Sequence, residues 1–162
     1  MTSPQPSKAD WAILAKSGIT PDNLTVHGSL YLSGTDITAL PDNLTVHGSL
    51  LLRGTNITVL CDNLTVHDSL YLEDTGITAL PDSITVGRSL YLKGTPIPII
   101  YHDPRGYELR RVMAGSAEWW VSGCRKFTSR GDALAYWGSP KYPNRKRGDA
   151  YCAAINATEM TA

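Results

Sequence analysis

The chain has 162 residues, and its 15 Lys/Arg balance its 15 Asp/Glu, so the formal net charge is zero. That length accommodates one ordinary domain, or a small repeat array with an appendage. No apolar run approaches the roughly 18 residues that a membrane-spanning helix needs, so no membrane partner is expected.

Charge is unevenly placed: residues 1–100 carry five Lys/Arg against nine Asp/Glu, and residues 101–162 carry ten against six. Opposite signs draw the halves together, or equip the second half for an anionic partner. The three cysteines, Cys61, Cys124 and Cys152, lack metal-ligand spacing and read as free thiols in a reducing compartment. Met1–Lys8 shows no basic segment followed by an apolar run, so no secretory leader is legible and a cytoplasmic location is expected.

Met1–Ser7 reads as a loose polar tail. Ser7-Lys-Ala-Asp10 is a capping-box pattern, and the helix it starts is expected to end near Lys16, before Gly18. Trp11, Leu14 and Ala15 fall at i, i+3, i+4 on one side of it. The segment 1–18 is therefore the expected N-terminal cap of the repeat array that starts at residue 19.

Residues 19–100 are dominated by a 20-residue period. The blocks Pro21–Leu40, Pro41–Leu60, Cys61–Leu80 and Pro81–Ile100 align without gaps, and eight positions are identical in all four. Those positions are Asp22/42/62/82, Thr25/45/65/85, Val26/46/66/86, Ser29/49/69/89, Leu30/50/70/90, Leu32/52/72/92, Thr35/55/75/95 and Ile37/57/77/97. A fixed period around Leu-x-Leu implies a solenoid, each coil burying its apolar edge against the next. Ser29-Leu30-Tyr31-Leu32 alternates, so the leucines are expected inward and Ser29 and Tyr31 outward. Thr25-Val26-His27 alternates too, with Gly28 between the two segments. Thr35 and its copies are expected to hydrogen-bond backbone within a turn. Parallel stacking at about 4.8 Å per coil gives a rod only about 20 Å long.

The spacing Leu30-x-Leu32-x-x-Thr35-x-Ile37-x-x-Leu40-Pro41 resembles the 20-residue leucine-rich repeats of bacterial proteins, including secreted effector ubiquitin ligases. Thr35/55/75/95 stand where that family has an Asn ladder. The run GSLYLSGTDITALPDNLTV is also similar to short repeat proteins of bacteriophages and prophages. The resemblance covers about half the chain and names no activity. It implies a partner in the bacterial host, a protein or a complex, with a defence system such as CRISPR-Cas among the candidates.

After Pro96-Ile-Pro98 the period stops, because proline cannot donate to a ladder. Residues 101–162 are expected to form a small α+β domain docked on the fourth coil. A last apolar strand is expected at Ile99–Tyr101, followed by two strands over Tyr107–Met113 and Glu118–Phe127, a helix over Gly131–Trp137 capped by Thr128 or Ser129, a basic loop Tyr142–Arg147, and a helix over Gly148–Ala157. The whole is mainly β.

The outward strand positions Tyr31, Leu51, Tyr71 and Tyr91 make an aromatic-rich stripe beside Arg53, Glu73 and Lys93. Tyrosine offers large contact area at low entropic cost, so these residues are the candidate partner-binding surface. The same tyrosines also stabilise a sheet by neighbour contacts. A second set, Arg125, Lys126, Arg130, Lys141, Arg145, Lys146 and Arg147 among Trp119, Trp120 and Tyr142, has the composition of a nucleic-acid or anionic-partner surface. His27, His47 and His67 form a row without accompanying carboxylates, and the Asp row reads as turn chemistry, so no metal and no cofactor is expected. Cys124 and His102 have no fixed distance and no oxyanion donor, so no enzyme activity is expected.

Overall fold

The structure is a computed structural model, and it describes residues 3–158. Its centre is a β-solenoid in which every 20-residue block contributes two short strands. The first strands are β1 (Thr25–Val26), β3 (Thr45–Val46), β5 (Thr65–Val66) and β7 (Thr85–Val86), paired in parallel in that order. The second strands, β2 (Leu30–Tyr31), β4 (Leu50–Leu51), β6 (Leu70–Tyr71) and β8 (Leu90–Tyr91), form a separate parallel sheet. Leu30 pairs with Leu50, Leu50 with Leu70 and Leu70 with Leu90, so identical residues lie directly over one another.

This register follows from burial. A slip of one residue would turn the leucines to solvent, whereas in place Leu50, Leu52, Leu70, Leu72, Ile57 and Ile77 are fully buried. The threonine row supplies the corners. Thr35, Thr55, Thr75 and Thr95 each donate Oγ1–H to the carbonyl of the leucine three residues earlier, at 2.7 Å. A hydroxyl therefore holds each turn. The serine row is structural as well: Ser29 Oγ accepts the Ser49 N–H at 3.0 Å, and Ser49 and Ser69 repeat the contact one coil on. Ser29 and its copies are half-buried or buried.

Helix α1 (Lys8–Ala15) starts at Ser7 with the expected reciprocal capping box to Asp10. Leu14 is buried and Trp11 half-buried, but Ala15 is exposed, and Asp10 takes the inward place. The helix turns this way because Asp10 also accepts the Thr38 N–H at 2.6 Å. The tail expected to be loose is anchored: Ser3 is buried and donates to Asp42, as does Gln5. Met1 and Thr2 lie outside the described residues.

The C-terminal part is an antiparallel sheet in the order β12-β11-β10-β9, comprising β9 (Ile99–His102), β10 (Glu108–Ala114), β11 (Ala117–Ser122) and β12 (Arg125–Phe127). The run expected as one strand over Glu118–Phe127 is two, divided at Gly123, whose φ of 58° makes the turn. Helices α2 (Arg130–Trp137, capped by Ser129) and α3 (Arg145–Ala157, capped by Asn144) follow. Helix α3 begins three residues before the expected start, so Arg145, Lys146 and Arg147 are helical rather than looped. The Asn144 side chain accepts the Arg147 N–H and provides that earlier start.

Two apolar cores result. Val112, Ala114, Trp119 and Val121 belong to the solenoid core, while Leu109, Trp120, Trp137, Tyr151 and Ile155 form a second one under the helices. The C-terminal sheet therefore lies between the two, and its solenoid-facing side chains close the fourth coil. Leu80 bridges to Ala114, and its N–H donates to the Met113 carbonyl at 3.1 Å.

Candidate functional site

The strand-face column is assembled by register alone. Tyr31 lies beside Leu51, Leu51 beside Tyr71, and Tyr71 beside Tyr91. The Tyr71 and Tyr91 rings stack at 4.5 Å with 7° between planes, while Tyr31 is 72% exposed. Burial is the main cause of the raised Tyr91 phenol pKa, with Tyr71 contributing. The row beside them is mixed: Arg53 pairs with Asp74 at 3.4 Å, Lys93 is exposed, and Glu73 is half-buried with one carboxylate oxygen that finds no hydrogen bond.

The column leads into a cleft of about 780 Å³. Its solenoid wall includes Arg53, Glu73, Tyr91 and Lys93, and its other wall includes Tyr107, Glu108 and Cys124 of the C-terminal part. Sequence reasoning identifies the first wall and misses the second. Tyr107 and Glu108 stand at the start of a strand whose docking no local pattern announces.

The basic set divides into side chains with protein partners and side chains exposed to solvent. Lys126 is half-buried, lies 4.9 Å from the centre of the Trp119 ring and donates to the Val86 carbonyl. Burial lowers its pKa. Arg130 donates to Asn156, and Arg145 pairs with Asp149 at 2.9 Å. Arg147 pairs with the buried Asp103, 5.0 Å from the centre of the Tyr107 ring. Arg125, Lys141 and Lys146 are exposed.

The imidazoles of His27, His47 and His67 form an exposed stack with centroids 5.5 and 4.7 Å apart and planes within 11°. The row ends at Gly87, where a Cβ would lie 2.1 Å from the His67 carbonyl oxygen, so the fourth coil takes glycine by close approach. Among the described residues no group of three or more His, Cys, Asp or Glu is placed to hold a metal. The cysteines are free; burial, aided by Asp42, pushes the Cys61 thiol up to about 12. Cys124 is exposed in the β11–β12 turn.

These features define a capped β-solenoid repeat protein with an aromatic column ending in a cleft against its C-terminal α+β part. No protein-family model, curated protein or solved structure matches the chain. No helix among the described residues is long and apolar enough to cross a membrane.

Proposed function

We propose that this protein is a non-catalytic protein-binding module whose contact surface is the column Tyr31, Leu51, Tyr71 and Tyr91 with Arg53, Glu73 and Lys93. The observation that carries the reading is the run of this column, in register on a stiff parallel sheet, into the cleft lined by Tyr91 and Tyr107. Aromatic anchors on a rigid frame lose little entropy on binding, and an adjoining cleft supplies the desolvated pocket that such anchors favour. The resemblance to leucine-rich repeats and to phage and prophage repeat proteins supports a partner in the bacterial cytoplasm. The first partners to test are host protein complexes, defence complexes such as CRISPR-Cas included.

The test is a pull-down from bacterial lysate with the native chain and with Tyr31→Ala/Tyr71→Ala/Tyr91→Ala. The expected result is selective loss of captured proteins with an unchanged circular-dichroism spectrum. Retention of the same proteins by the triple variant assigns the tyrosines to sheet packing and overturns the reading.

Nucleic-acid binding through the C-terminal part is less well supported as a surface property. Lys126, Arg130, Arg145 and Arg147 are already engaged by protein partners.

A further inference from the structure

A second cavity, of about 680 Å³, lies wholly within the C-terminal part. It shares Tyr107, Gly123 and Cys124 with the first cleft but has a different chemistry. Its lining includes three arginines, Arg105, Arg125 and Arg147, and no carboxylate. The aromatic part of the wall is supplied by Tyr107, Tyr136, Trp137, Tyr142 and Tyr151.

The arginines are differently held. Arg147 is fixed from behind by the buried Asp103 and lies near the faces of Tyr107 and Tyr151, at 5.0 and 6.0 Å. Arg125 lies over the Tyr136 ring at 4.6 Å and is exposed, as is Arg105. Trp137 and Tyr151 are buried and stack on each other at 4.6 Å, so they form a fixed floor, and the exposed or partly exposed rings of Tyr107, Tyr136 and Tyr142 supply the contact surface.

A cavity of this size, with aromatic walls and a few convergent polar groups, suits a small ligand rather than a long strand. Guanidinium groups recognise phosphate with paired hydrogen bonds, and flat rings stack on aromatic side chains. We infer that this cavity binds a nucleoside phosphate, the base among the aromatic side chains and the phosphate at Arg105 and Arg125. The nucleotide is either free or the end of a single strand, since both present the same group.

Isothermal titration calorimetry on the full chain tests this with AMP and UMP, with adenosine and inorganic phosphate as fragments, and with a short single-stranded oligonucleotide. The expected result is that a nucleotide binds more tightly than either fragment. Arg105→Gln and Arg125→Gln are each expected to weaken it about tenfold at unchanged melting temperature. Lys146→Gln, outside the cavity lining, is expected to have little effect. Alkylation of Cys124 by iodoacetamide, read on its peptide by mass spectrometry, is expected to slow when the site fills. Tighter binding of the oligonucleotide, lost in the same arginine variants, identifies a strand end as the source, and the converse identifies the free nucleotide. The inference is overturned if no nucleotide binds at millimolar concentration. It is also overturned if inorganic phosphate binds as tightly as AMP and UMP, or if Lys146→Gln costs as much as the arginine changes.

Discussion

Lys126 donates from Nζ to the carbonyl of Val86, standing where a fifth coil would have placed a backbone N–H. The equivalent carbonyls one and two coils earlier accept the N–H of Gly87 at Val66 and of His67 at Val46, each at 2.9 Å. Arg110 does the same at the opposite corner. Ile57 O accepts the Gly76 N–H at 3.2 Å, and Ile97 O, with no coil beyond it, accepts Arg110 Nη1. Two basic side chains from the C-terminal sheet thus serve carbonyls of the last coil, and Lys126 does so at the open end of the β1-β3-β5-β7 ladder, where an uncovered edge would be free to recruit another chain.

Arg110→Met is expected to unfasten this end. Arg110 is buried, pairs with Glu108 at 2.7 Å and also donates to the Thr95 carbonyl at 3.2 Å. Removing it strands those acceptors, at a cost of about 3–5 kcal/mol if the pair behaves as a fully buried one. Because Glu108 retains some exposure, the lower end of that range is expected. Chemical denaturation read by tryptophan fluorescence checks it, since Trp119 lies at the same junction.

Asp10 gives the N-terminal cap a pH dependence. Burial alone would raise its carboxyl pKa, but hydrogen bonds from Thr38 and Ser7 outweigh burial and hold it below the ordinary carboxylate value. A depressed folded-state pKa means stabilisation that is complete above the unfolded value and disappears as pH falls through the folded one, roughly from pH 4 downward. Asp42 adds to the same slope: burial opposes, but hydrogen bonds from Ser3, Asp62 and Gln5 lower its pKa. Asp10→Asn is expected to cost about 1.5–3 kcal/mol at pH 7. It should also flatten the acid limb of a melting-temperature profile against pH, and an unaltered limb would show that Asp10 is not its source.

Thr55→Val isolates the corner hydroxyl. Its Oγ1–H leaves the Leu52 carbonyl, which still accepts the Thr55 N–H at 3.1 Å in the pattern shared by Thr35 and Thr95. With the carbonyl still served, the expected loss is about 0.5–1.5 kcal/mol. Thr35→Val, at a half-exposed site, is expected to lose less. Urea melts of the two variants compare them directly.

The repeating half of the fold is legible in the sequence because each coil's partner is a copy of itself. Leu50 finds Leu30 and Leu70 at a separation the sequence states outright, and the threonine hydroxyls close onto backbone three residues away. The bonding of the serine row is not legible in alternation, because a short hydroxyl can serve the neighbouring coil's N–H while lying at the surface of the strand. The start of α3 is hidden because Arg145-Lys-Arg147 resembles a loop, and its cap is the single side chain of Asn144.

By itself the sequence determined the period, the inward columns, the capping box at Ser7 and the presence of an aromatic stripe, since all of these are written in local spacing or in copies of one block. The tertiary structure alone decided that Lys126 and Arg110 donate to carbonyls of the last coil, that Tyr91 and Tyr107 line one cleft and that Arg105, Arg125 and Arg147 line one cavity. Those contacts join segments with no repeat between them, and the Lys126 and Arg110 contacts arise because carbonyls left unpaired at the last coil must find donors from whichever segment folds over them.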